Sequence, residues 1–202
     1  MAAPPRGAVT PAGSYFPNVG KKWEAIAGKA DNPSGHSEDS QRGKVYLPCV
    51  CAGTLQPVSQ TQATTLTFPP DVLTANPQLA GTTFTFPANT AFSDDGSRGG
   101  SLGPAPVPPD RLPSPLPPGL RLPFVFSLQT SGPTNFERPV AVCLPNLPDP
   151  LTGYKPVPGE KTALVAFNHD TGQWEVVGPM TVTADGNFMK TDHGVGDRKS
   201  VV

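Results

Sequence analysis

The chain has 202 residues, of which 28 are proline and 21 glycine, and its 15 basic and 16 acidic side chains leave a formal net charge of -1. With no run of either sign it lacks the electrostatic footprint of a nucleic-acid binder, and no apolar stretch approaches the roughly 20 residues of a membrane-spanning helix. Few windows of a dozen residues are free of Pro and Gly, so long helices are excluded, while alternating strings of Phe, Val, Thr and Leu argue for ordered β structure.

Residues 1–44 read as a linker or the end of a preceding module. No charged segment followed by an apolar one marks a signal peptide there. GKKWEAIAGKA at 20–30 is the one window that suits a short helix, with Trp23 and Ile26 at helical spacing, and 31–43 is a polar loop by composition. A β domain is expected over 45–196. KVYLPCV predicts a strand ending near Pro48. TTLTF at 64–68 places Leu66 and Phe68 on one face and Thr65 and Thr67 on the other, and TTFTF does the same with Phe84 and Phe86. Both strands stop at proline. Asp94, Asp95 and Gly96 then form a turn.

The proline-dense run at 104–123 predicts a stiff crossover between two sheets, pinned by Val107, Leu112, Leu116 and Leu120; its PxxP-like content also suits polyproline II recognition. In LRLPFVFSLQ, residues Leu122, Phe124, Phe126 and Leu128 share a face. GPTNFERPVAVCLPN at 132–146 reads as a turn containing Asn135, then a strand bracketed by Pro139 and Pro145. Val140, Val142 and Leu144 alternate there with Ala141 and Cys143. TALVAF leads through a glycine-containing turn at 168–172 into QWEVVG, a hairpin. MTVTADGNFMKTD reads as strand, turn at Ala184–Asp185–Gly186, strand. Roughly eight strands so punctuated predict an all-β, antiparallel sandwich with long proline-rich connections.

Signs of chemistry are sparse. Cys49, Cys51 and Cys143 are an odd set that cannot pair completely within the chain. Cys49 and Cys51 would share a strand face, which suits packing better than a mutual disulfide or a metal. His169 and Asp170 could pair a base with a carboxylate, but a turn pair is usually solvated. Asp94, Asp95, Asp185 and Asp192 could supply a calcium site between loops, although turn chemistry accounts for each of them. Trp174 and Phe188 could form a sugar-stacking platform, and Trp174 beside Val176 reads more simply as a core plug. No nucleotide, zincin or hydrolase motif occurs. The sequence therefore assigns no catalytic, cofactor-binding or metal residue.

TTFTFPANTAF followed by GPTNFERPVAVCLPN resembles the ZU-five domain, the β-sandwich of ankyrins, netrin receptors of the Unc-five type and zona-occludens proteins. Gly132, Phe136, Pro139 and Val140 occupy that family's core-strand opening, and TALVAFNHDTGQWEVVG at 162–178 is similar to its closing strand–turn–Trp strand. Over 45–196 the chain also resembles uncharacterised segments of large, secreted, multidomain bacterial proteins. Some relatives self-cleave at a His-Phe-Ser step; here Thr191-Asp192-His193-Gly194 lacks the serine nucleophile, so no cleavage is expected. Residues 197–202, DRKSVV, resemble the translation of a sequencing-library adapter and are expected to be an artefactual tail. These resemblances imply a non-catalytic structural or interaction module of a larger secreted or cell-surface protein. Its partners would be neighbouring domains, other surface proteins or glycans. The alternative is a carbohydrate- or calcium-dependent adhesion module.

Overall fold

The computed structural model describes residues 14–15, 50–51, 54–93, 95–107, 112, 114–131, 135–168, 173–192 and 197–199. The expected helix at 20–30, the polar loop at 31–43, Cys49, Asp94, Gly132 and the hairpin turn with His169 and Asp170 lie outside them. In chain order the strands are β1 (Ser14–Tyr15), β2 (Val50–Cys51), β3 (Gln56–Pro57), β4 (Thr64–Thr67), β5 (Thr83–Phe86), β6 (Ala91–Phe92) and β7 (Ser101–Val107). They continue with β8 (Val125–Thr130), β9 (Asn135–Pro145), β10 (Lys161–Asn168), β11 (Gln173–Val182), β12 (Phe188–Thr191) and β13 (Asp197–Lys199). The one α-helix among the described residues, α1 (Pro70–Ala75), is six residues long. All described strand pairings are antiparallel, as the sequence predicts.

Strands β1 and β2 pair with each other. A large sheet runs in the order β10-β11-β12-β9-β5-β4, with β6 and β13 also pairing to β9, and a small sheet runs β3-β7-β8. Alternation sets which faces meet. Leu66, Phe84, Phe86, Val140, Val142 and Leu144 are buried, while Thr65, Thr67 and Ala141 face out. Leu102 and Leu128 of the small sheet join the same apolar cluster. The Phe84 and Phe126 rings, 4.8 Å apart, link the two sheets, and Phe86 meets Phe136 edge-on at 5.3 Å.

Two expectations about proline are corrected. Residues 104–107 of the presumed crossover belong to strand β7, which pairs from Leu102 to Val107 with β8, so the proline-rich segment closes a connection within one sheet. Pro104 and Pro106 are two apart and turn their nitrogens to the same side. On that side the β3 pairing covers only Ser101 and Leu102, so no described strand ladder needs a donor from Pro104 or Pro106. Pro139, expected at a strand border, lies inside β9, and Asn135 opens that strand rather than sitting in the turn.

Strand β9 tolerates Pro139 because its neighbours change there. Towards its end it lies between β12 and β5; towards its start it pairs with β6 and β13. Threonine side chains complete the ladder at both changes. Thr90, wholly buried, accepts from the Arg138 N–H at 2.8 Å and donates to the Arg138 carbonyl at 3.2 Å. On the other side the Thr191 hydroxyl accepts from the Val142 N–H at 3.0 Å. Each hydroxyl stands in for a missing backbone partner. Gly81, at φ +83°, lies under the Phe188 ring, where a Cβ would sit 2.4 Å from a ring carbon.

Candidate functional site

A cleft of about 230 Å³ lies between the 120–126 segment and the large sheet. Its floor is Val140, Val142 and Leu144 of β9 with Met180 and Met189 from β11 and β12. One wall is segment 120–126; the other is residues 162–166 of β10, an edge strand of the large sheet. The lining is apolar except for Thr162 and the exposed Arg121, its one charged residue.

The backbone of β10 gives that wall its chemistry. The Val182 N–H donates to the Glu160 carbonyl, so even-numbered residues face β11 across the ladder. Pro179, opposite Ala163, points its carbonyl the other way, to the Asp192 N–H at 3.1 Å. Ala163 and Val165 therefore turn their N–H and C=O groups to the free edge, where they have no backbone partner among the described residues.

A bulge decides where Trp174 points. Leu164 pairs with Gly178 and Val165 with Val176, which makes Val177 an extra residue on β11. Trp174 and Val176 thereby leave the face that carries Met180 and Val182. The expected core plug is thus corrected: Trp174 is half-buried and outside the core cluster, and Val176 is 69% exposed. The Trp174 ring meets Phe167 edge-on at 5.4 Å, its N–H donates to the Ser114 carbonyl at 3.3 Å, and it reaches the cleft lining. Phe188 lies beyond the other end of β11, since Met189 pairs with Val182. Eight residues of strand, roughly 26 Å, separate Trp174 from Val182, so the two aromatics form no common platform.

The loop 146–160 has a second character that sequence reasoning missed. Buried Asn146 donates through Nδ2 to the Pro156 and Gly186 carbonyls at 2.8 and 3.0 Å, tying both ends of the loop to the β11–β12 turn. Asp149 accepts from the Leu151 and Thr152 N–H groups at 2.9 and 2.7 Å, and Glu160 accepts from the Tyr154 hydroxyl and the Val157 N–H. So braced, the loop displays Leu151, Tyr154 and Val157 at 68%, 55% and 58% exposure. Bonds from the Thr152 and Leu151 N–H groups hold the Asp149 carboxyl below its ordinary range, and the Tyr154 hydroxyl does the same for Glu160. The Asp-x-x-Thr-Gly spelling at 149–153 carries the turn; nothing in it announces which side chains end up outside.

The described aspartates do not converge. Asp95 accepts from Ser97, Asp185 closes its own turn with Thr183 and Asn187, and Asp192 pairs with Lys161 at 2.6 Å and accepts from Thr181. Among the described residues no three His, Cys, Asp or Glu groups come together as metal ligands. Cys143 is a free thiol beside Thr83 in the β5–β9 pairing, and burial pushes its pKa up, away from the reactive thiolate. No described helix is long and apolar enough to cross a membrane.

These features define an all-β, antiparallel protein in which the large and the small sheet share one apolar core, with an apolar cleft beside an edge strand. Compared with known proteins, the chain matches no family model, no curated protein and no solved structure.

Proposed function

We propose that this chain is a non-catalytic structural or protein-interaction module, a ZU-five-like sandwich belonging to a larger secreted or cell-surface bacterial protein. The observation that carries the reading is the loop 146–160, whose three large apolar side chains stand in solvent on a hydrogen-bonded frame. Exposed apolar groups held rigid suit recognition, because little conformational freedom remains to be lost on binding. Two sheets sharing one apolar core support the sandwich arrangement.

Sequencing the gene on both sides of this chain tests the proposal. A frame that runs past Gly196 into further β modules, behind an export signal, supports it. A stop directly after DRKSVV with no export signal upstream sinks it.

A further inference from the structure

We propose that the cleft beside β10 is a strand-addition site, which takes an extended, apolar, neutral or acidic segment of a partner protein as one more strand on the large sheet. This rests on the interaction-module reading and names the site and the chemistry of its partner.

Three independent features meet in the cleft. The first is the free edge: Ala163 and Val165 present backbone donors and acceptors along one wall that have no backbone partner among the described residues. An incoming strand is the occupant whose own backbone satisfies such a row. The second is the apolar ground next to that edge, Leu164 of β10 facing Leu122 and Phe124 of the opposite wall, which suits the inward side chains of an added strand; the β9 residues of the floor lie three strands further in. The third is charge. The lining carries one cation, Arg121, and no acid; Asp149, outside the lining, feels the Arg121 charge and offsets part of it, so the cleft disfavours a basic segment more than it selects an acidic one.

The sequence of β10 agrees. Ala163-Leu164-Val165-Ala166-Phe167 is a continuous apolar run, the pattern of a strand covered on both faces and flanked by neighbours. Natural edge strands are commonly guarded by proline, a bulge of their own or central charges. Strand β10 has a single charge, Lys161 at its first position, and no proline. The edge is thus left able to pair.

The test uses the full chain and two synthetic heptapeptides of one composition, each ending in aspartate. In one, valine and leucine alternate with threonine; in the other the apolar residues are contiguous. Binding is read by fluorescence anisotropy, and pairing by NMR amide exchange at Ala163 and Val165. The alternating peptide is expected to bind at least ten-fold more tightly than its control and to slow exchange at both amides at least ten-fold. Ala163→Pro removes a donor that the native ladder does not use. It is expected to keep the fold, checked by circular dichroism, and to weaken binding at least ten-fold, while Ala163→Ser retains it.

Equal binding to the parent and Ala163→Pro chains overturns the proposal, because the cleft then takes apolar groups without strand pairing. Absence of binding overturns it too. Concentration-dependent dimerisation abolished by Ala163→Pro, without peptide binding, replaces the partner segment with a second copy and likewise overturns it. None of these outcomes touches the reading frame on which the module proposal stands.

Discussion

Two threonines govern how β9, the longest of the described strands, keeps its hydrogen bonds. Thr90 and Thr191 act on opposite sides of β9, where its neighbours change, and each offers a hydroxyl in place of a peptide group. Removing the hydroxyl of buried Thr90 leaves the Arg138 N–H and C=O without their partner. Thr90→Val keeps shape and volume, so it isolates that loss. It is expected to destabilise by about 1–3 kcal/mol, measured by urea denaturation; a change under about 0.3 kcal/mol would show that water replaces the hydroxyl. Threonine in a β-rich sequence reads as an outward strand residue, as at Thr65 and Thr67. Nothing local distinguishes Thr90, because its partner lies 48 residues away.

At the scale of elements, strands β4, β5, β9 and the β10–β11 and β11–β12 pairs are legible from alternation and turn residues. Strand β7 is not, since Pro104 and Pro106 disguise it, and their tolerance depends on the β3 pairing ending at Leu102. The loop 146–160 is legible as a turn but not as a display. Its carboxylates make it acid-sensitive in a defined direction. Asp149 and Glu160 have folded-state pKa values below their unfolded ones, so between those values the unfolded chain binds more protons. The stability they contribute is complete above the ordinary carboxylate range of about 4 and is lost as pH falls through the lower folded values. Tm followed by circular dichroism is expected to fall as pH drops below about 4. Asp149→Asn is expected to shrink that fall; an unchanged acid slope in the variant would assign it elsewhere.

For the whole molecule, the decisive contact is the one between sheets. Phe84 touches both Phe68 and Phe126 and is wholly buried, so it belongs to the large sheet by pairing and to the small one by packing. Phe84→Ala is expected to cost about 3–5 kcal/mol and to lower Tm by roughly 10 °C. Far- and near-ultraviolet circular dichroism should still report one coincident transition, as a shared core requires. Two separate transitions would mean that the sheets fold independently.

Composition and two-residue periodicity by themselves determined the class of this protein: long helices are barred by Pro and Gly, and alternating Leu, Phe and Thr build antiparallel strands with one apolar face. The inward positions Leu66, Phe84, Phe86, Val140, Val142 and Leu144 follow from that local rule, because a strand presents successive side chains to opposite sides whatever surrounds it. Tertiary structure alone decided the rest. Which strands meet, where β9 changes neighbours, how the bulge at Val177 turns Trp174 out of the core face, and that β10 is left at an edge over an apolar cleft all depend on residues far apart in the chain. Long-range pairing has no local signature, since its energy comes from partners the local sequence does not contain.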